Sequence, residues 1–478
     1  MTQEEIMKSK WVGRTHEGKF YIITQELYKH LHDSVHLVTT DSGNIYLYDS
    51  RGVWKQITQN TCKGIIKEFL PIRYRTYKHW NMIFEEFLTD LSDIEEKDFN
   101  ADENIINFQN GALDLRTMEL KPHNPTYLST IQIPCAYNPD LTWDNAPTFK
   151  KYLNDLLGDD EVTKVFLLEF LGAIISNVYG WRYKKMLLMV GDGNTGKSVL
   201  RELAKHMIGL NNCVSIELRK IGERFGSSSL YGKRLAGSGD LGFVELPEVN
   251  IIKQLSGGDE LYAEFKGKDS FTFRYDGFLW CNCNRLPYFR SDRGKWVYSR
   301  YAIVRCSNVI PPEKQDKRLI DKLIAEKEAI VNIAVNHFRK TVENGYRFTE
   351  SESMRIEREH YTIENNSLLT FVKERCVLLK GTTKRSEFNE AYVKWCQQNL
   401  VKPERQRDIG RQLEETFGIT ATKRNGYFIY NLCVLNEDED GSGEYEQSCY
   451  DQLKSLMKSK DNNNSEGSVE PSEGQNGK

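Results

Sequence analysis

One run of eight residues constrains this chain more than any other. Gly191-Asp192-Gly193-Asn194-Thr195-Gly196-Lys197-Ser198 fits the pattern G-x-x-x-x-G-K-[ST] throughout. Before it stands the apolar run MLLMV, Met186 to Val190, suited to a strand buried on both faces of a parallel sheet. After it, SVLRELAKHMIG has helical spacing and stops at Gly209. In a strand–loop–helix of this kind, glycines let backbone N–H groups turn inward around phosphate oxygens, and the helix N-terminus adds the positive end of its dipole. Gly191 through Val199 therefore form the expected nucleotide cradle. Lys197 is expected to reach the β- and γ-phosphates of ATP and Ser198 to hold Mg²⁺. The fold class that follows is α/β with a parallel sheet.

A phosphate cradle needs an acid at the end of a neighbouring strand to hold Mg²⁺ and orient the attacking water. KRLAGSGD offers Asp240, with Glu245 as the nearby competitor. The apolar strand FLWCNCN starts at Phe278 and ends in Asn284, whose amide could touch the γ-phosphate or the water. DRGKWVYSRYAIV then places Arg300 at the start of another apolar strand, where it could project into a neighbouring subunit's site.

The remaining chain reads as several cores. Of its 478 residues, 39% are hydrophobic and 28% charged, the balance of a soluble globular protein. No apolar run approaches the length of a membrane span, and MTQEEIMKSK lacks the apolar core of a signal peptide. The ten cysteines form no C-x-x-C pair, so a reduced cytoplasmic protein without zinc is expected. From Asn436 onward, 11 acids face 4 bases, a net charge of −7. The overall charge is −3, which leaves +4 for the chain ahead of that tail, so any DNA contact must come from local basic clusters. The expected organisation is an α/β module over 1–146, a helical collar over 147–180, the nucleotide-binding core over 181–310 and a helical region over 311–380. A winged-helix-like domain over 381–435 and a disordered acidic tail over 436–478 complete it. Within the first module, IYLYDSRGVWKQIT predicts a hairpin with its turn at Asp49–Gly52, and INFQNGALDL predicts another at Asn110–Gly111.

These residues resemble the superfamily III helicases, closest to the helicase module of phage and plasmid primase-helicases and the poxvirus-type nucleoside triphosphatases. Gly191 to Asn284 spans 94 positions, the compact motif spacing of that group. KQLSGGDELYAEFKGKDSFTF is similar to its middle motif, NRLP to its sensor motif, and INFQNGALDLRTMELKPHNPTY to its N-terminal module. Asp240 stands where many relatives carry glutamate. The resemblance implies an AAA+ core, ATP hydrolysis with Mg²⁺ held by Ser198 and Asp240, an arginine finger at Arg300 and a homohexameric ring around single-stranded DNA. It also implies a phage or other mobile element replicating in the cytoplasm of a bacterial host.

Two basic elements suit DNA. ELYAEFKGKDSFTFRY predicts a hairpin with Lys266 and Lys268 at its tip, a small charged point that can follow phosphates without reading bases. Near the C-terminus, the helix RSEFNEAYVKWCQQNL precedes a second helix with Arg405, Arg407 and Arg411, then a strand-turn-strand with Lys423 and Arg424 at the tip. This winged-helix order suits duplex DNA, such as an origin. Asp114 has no second acid two residues away, and no paired-carboxylate motif with a partner histidine occurs between Met1 and Asn145, so no primer synthesis is expected. An origin-binding ATPase that does not unwind, or a non-replicative DNA translocase, are the other functions this pattern allows.

Overall fold

Apolar continuity places Met186–Val190 inside a sheet: all five residues are buried, as a strand covered on both faces requires. The computed structural model describes residues 1–89, 94–241, 245–246, 250–267, 269–289, 295–399 and 401–435. Met186–Val190 pairs in parallel with Phe278–Cys283 on one side and Tyr301–Arg305 on the other. The sheet continues from Phe278–Cys283 to Leu235–Gly237 and ends at Cys213–Ser215, again all parallel. Leu187 and Met189 join a core with the helices Glu161–Ile175, Lys197–Ile208 and Lys327–Glu343, while Met186 and Leu188 are equally buried on the opposite face. The Glu161–Ile175 helix is apolar all round because it is enclosed, and Phe170 meets the rings of Phe278 and Trp280.

The N-terminal part follows its predicted hairpins. Ile45–Asp49 pairs with Val53–Ile57, and Gly52 N–H closes the turn on the Asp49 carbonyl at 2.9 Å. Ile105–Phe108 pairs with Gly111–Asp114, which pairs on with Glu119–Lys121. Asp114 is buried, and its carboxylate is held by Arg116 at 3.0 Å and Lys121 at 2.8 Å. These two cations, Arg116 first, hold its pKa well below the usual carboxylate range against the opposing effect of burial. Its role in this fold is to tie its sheet together. The helices Thr24–Asp33, Gln59–Glu68 and Tyr77–Thr89 enclose a core around Trp11, Leu27, Ile66 and Phe84.

The chain divides into two units, Met1–Asp292 with Ser299–Arg358, and Arg293–Tyr298 with Glu359–Lys478. In the second, the helix Ser367–Arg375 leads into the strand Cys376–Lys384, then the helices Arg385–Gln398 and Gln406–Phe417, then the strands Thr422–Arg424 and Tyr427–Val434. Cys376–Lys384 and Thr422–Arg424 flank Tyr427–Val434 in an antiparallel sheet. The first of these strands begins where the sequence pattern predicts helix: Cys376–Lys384 gains its partner only from Ile429 to Val434, far along the chain. Phe371, Phe388, Tyr392, Leu413 and Leu432 fill the core. Among the described residues no helix is long and apolar enough to cross a membrane. The acidic tail, 436–478, lies outside the described residues.

Candidate functional site

The glycine-rich loop Gly191–Gly196 joins the central strand to the helix Lys197–Ile208. Its first glycine is required by close packing: a Cβ on Gly191 would sit 2.0 Å from the Cys306 carbonyl oxygen. Gly196 caps the helix at φ +97, which leaves the first helical N–H groups without a side-chain partner and pointing along the dipole. Tyr152, buried on the helix Pro147–Leu157, donates its hydroxyl to the Gly196 carbonyl at 2.9 Å. From the other side, Ile310 N–H donates to the Asn194 carbonyl at 3.0 Å, and Asn308 Nδ2 to the Asp155 carbonyl at 2.6 Å. The loop is thus held by segments far from it in sequence.

Lys197 is turned back into its own loop. Its ammonium donates to the carbonyls of Gly191 at 2.6 Å and Asp192 at 2.7 Å and to Thr195 Oγ1 at 3.0 Å. The side chain is buried, whereas an outward-facing lysine would be the expectation from a loop motif alone; a chain that ends in three donors satisfies the carbonyls that the glycine-rich turn leaves open. Ser198 is exposed at the helix start.

Gly193 to Val199, Asp240 and Asn284 line one cavity of about 1100 Å³. Asp240 lies beyond the end of Leu235–Gly237, exposed, with its N–H on Ser238 Oγ at 3.2 Å. Its strand is not beside the loop strand, as a simple neighbour rule would have it: Phe278–Cys283 lies between them and carries Asn284 directly next to the loop. Glu245 belongs to a separate two-stranded sheet with Tyr288, and its side chain lies outside the described residues. Arg201, a buried residue of the helix Lys197–Ile208, donates to the Gly237 carbonyl at 2.8 Å, fixing the Asp240 strand against that helix. Burial pushes the thiols of Cys283 and Cys306, which flank the loop, up to about 12, so both are neutral.

The site draws on residues that motif spacing does not reveal. Tyr152, Asn308, Ile310, Lys314 and Lys322 complete the cavity wall. Asn282, two residues before Asn284, is buried in the same wall; its Oδ1 accepts from Trp280 Nε1 at 2.8 Å, and its Nδ2 has no partner among the described residues. No local signal marks these positions, because they reach the loop only through the sheet and the helices that cover it.

Arg300, at the foot of Tyr301–Arg305, is partly buried and donates from Nη1 to Ser256 Oγ at 2.8 Å, on the helix Asn250–Gly257. It is not part of the lining of its own cavity. The basic hairpin forms as Glu260–Glu264 against Ser270–Arg274, with Lys266 and Gly267 exposed at the tip and Lys268 outside the described residues. Phe265, Phe271 and Phe273 gather around Tyr231, and Arg224 clamps Glu264 through two bonds of 2.9 and 3.0 Å. In the second unit Arg405 caps the helix carrying Arg407 and Arg411, and both of these face Asp408, at 3.8 and 3.2 Å. Lys423 and Arg424 are exposed on a hairpin whose two turn residues, Asn425 and Gly426, both have positive φ, the geometry of a tight two-residue turn. Beside them Tyr427 and Phe428 are also exposed, a pairing of rings with cations absent from the sequence expectation.

A family model described as "D5 N terminal like" matches residues 25–158, and one described as a family of unknown function, DUF5906, matches residues 189–300, which contain the glycine-rich loop, Asp240 and Asn284. The chain is 27% identical over 264 residues to "Putative helicase 184R" of Invertebrate iridescent virus 6, covering 52% of this chain and 26% of that protein. It is 27% identical over 333 residues to "Putative helicase 121R" of Invertebrate iridescent virus 3, covering 61% of this chain and 34% of that protein. The chain thus spans about a quarter to a third of the length of these curated relatives. Among solved structures, "The A form apo structure of NrS-1 C terminal region-CTR" aligns with a TM-score of 0.47 and 15% identity, over 86% of this chain and 99% of that one. The sequence matches are thus to a D5-N-terminal-like family model and to proteins named putative helicases, for a mixed α/β chain built on a five-stranded parallel sheet.

Proposed function

We propose that this chain is an ATP-dependent DNA helicase of the superfamily III, AAA+ type, serving replication of a phage or other mobile element in the cytoplasm of its host. The observation that carries the reading is the convergence of Gly193–Ser198, Asp240 and Asn284 on one cavity at the carboxyl end of a parallel sheet, the place where open α/β sheets bind ligands. The cavity has room for a nucleotide. Lys197 swings from its loop carbonyls to the β- and γ-phosphates, exchanging three neutral acceptors for charged ones. Asp240 orients the attacking water, and Asn284 holds the γ-phosphate or that water from the adjacent strand. The hydroxyl of Ser198 and the carboxylate of Asp240 are hard oxygen donors on one cavity wall, a fit for Mg²⁺, which is usually held by one or two protein oxygens plus phosphates and water. Bound there, the ion would neutralise charge on the β- and γ-phosphates.

Arg300 serves the site of an adjacent subunit in a hexameric ring, and Lys266 with Lys268 track single-stranded DNA in its pore. The C-terminal unit is a winged helix that contacts duplex DNA through Arg405, Arg407, Arg411, Lys423 and Arg424. That unit also favours a second reading, an origin-binding ATPase that does not unwind; a non-replicative translocase has no comparable support. The test is strand displacement on forked DNA by wild type and Lys197→Ala. ATP-dependent unwinding lost in the variant upholds the helicase; hydrolysis and duplex binding without unwinding leave the initiator.

A further inference from the structure

The N-terminal part concentrates positive charge to a degree that the overall composition hides. Between Lys63 and Lys78 stand Lys63, Lys67, Arg73, Arg75 and Lys78 against Glu68 alone, a net +4, equal to the net charge of the whole chain ahead of the acidic tail. None of these five cations forms an ion pair with a described carboxylate, and neither does Arg14 on the adjoining strand Val12–Arg14. Arg75 spends its guanidinium on the Leu70 and Glu68 carbonyls, at 3.0 and 3.1 Å; on a solvated surface the remaining cations, gathered on one short segment without carboxylate partners, repel each other and cost stability, so their persistence points to an anionic ligand.

The geometry is prepared for one. Arg14 and Arg73 both stand over the ring of Phe20, at 4.6 and 4.7 Å. Arg73 also donates to the Phe20 carbonyl at 3.1 Å. A guanidinium held by a ring face and one carbonyl keeps other N–H groups for a phosphate and has already lost much of its side-chain freedom. A few residues on, at the start of the Tyr77–Thr89 helix, Tyr77 is 72% exposed and meets Trp80 edge-on, and Lys63 lies over that same tryptophan at 5.7 Å. Cations interleaved with outward rings match a chain of phosphates carrying unpaired bases. A duplex would leave the rings unused, since its bases are already stacked. An acidic lipid surface would call for a continuous apolar face, and the exposed apolar residues here, Ile72 and Met82, stand ten positions apart.

We propose that the surface formed by Arg14, Phe20, Arg73, Tyr77 and Lys78 binds single-stranded nucleic acid, as a contact separate from the Lys266 hairpin. The choice of a nucleic acid rests on the DNA-motor reading; the surface itself does not. The experiment is fluorescence anisotropy of the full chain with a labelled oligothymidine across a salt series. An Arg14→Gln, Arg73→Gln, Lys78→Ala variant should bind at least about tenfold more weakly and lower the slope of log affinity against log salt by about 2, near 0.7 for each lost phosphate contact. Tyr77→Ala should weaken binding about fivefold or more with the slope unchanged, since stacking releases no counterion. Basal ATP hydrolysis should match wild type in both. Should the triple variant melt early, Lys78→Ala with Tyr77→Ala, at two exposed positions, carries the test alone with a slope loss of about 0.7. Wild-type affinity and slope in these variants overturn the proposal. So does wild-type binding to phosphatidylserine vesicles that the triple variant loses while retaining oligothymidine. If the wild type hydrolyses no ATP yet binds the oligothymidine through these residues, the motor reading falls and the surface stands.

Discussion

The cavity at the glycine-rich loop and the hairpin tip at Lys266 lie in the same unit but are built in different ways. The cavity takes its wall from segments spread between Pro147 and Lys322, joined only through the sheet and its helices. The tip is local: Glu264 pairs with Ser270 across it, and the aromatic cluster around Tyr231 supports it from one side. A substitution in the cavity therefore disturbs chemistry that many elements share. A substitution at the tip removes one charge and leaves the rest of the molecule as it was.

Lys197→Ala is the largest break in that comparison. Hydrolysis should fall to background, a loss of about 10³-fold or more, because in the proposed mechanism the lysine supplies the charge nearest the transferring phosphoryl group. The variant should also melt slightly earlier, by about 1 kcal/mol, since the Gly191 and Asp192 carbonyls lose their internal donor. Phosphate-release kinetics and thermal melting read the two effects; normal turnover would remove the cavity from the mechanism.

Arg300→Ala comes next. A finger acting in trans is worth about 10³–10⁵ in rate, so the variant should bind ATP and fail to hydrolyse it. Mixing it with Lys197→Ala protein should restore part of the activity, because some interfaces then pair an intact loop with an intact arginine. Arg300 also anchors Ser256 in its own chain. Co-assembly by light scattering without any rescue would reduce it to that anchoring role.

Asp240→Asn should bind ATP and turn it over about 10²-fold more slowly, with Glu245→Gln close to wild type. The reverse pattern would transfer the role to Glu245. The smallest effect is expected at the tip: Lys266→Ala should keep hydrolysis without DNA, lower unwinding several-fold, and flatten the salt dependence of single-strand binding by about 0.7. Unchanged unwinding would show that the tip does not grip the strand, and the contrast with the cavity would lose its functional meaning.

Legibility in the sequence followed the range of the interactions. The turn at Asp49–Gly52 was readable because a hairpin's register depends on residues a few positions apart. The strand Leu37–Thr39 had no such signal; three buried residues become a strand only because Ile45–Asp49 pairs with them. Likewise the strand Cys376–Lys384 depends on Tyr427–Val434, too distant for any window of sequence to register. At the site, Lys197, Ser198, Asp240 and Asn284 stand in a compact series that motif spacing picks out. Tyr152, Asn282 and Asn308 do not, since a tyrosine in an amphipathic helix or an asparagine in a loop has the same local pattern whether or not it faces a phosphate cradle.

By itself the sequence determined that a strand, a glycine turn and a helix onset follow one another at Met186–Ile208. Backbone freedom at Gly191 and Gly196 and the apolar continuity before them are local properties. Only the tertiary structure decided that the Asn284 strand, not the Asp240 strand, lies beside the loop, and that Lys197 is folded inward against the carbonyls of its own turn. Parallel strands are joined by long crossovers, so neighbours in sequence need not be neighbours in the sheet. Their order is settled by which arrangement buries the inner strands on both faces, a property of the whole core that no segment carries alone.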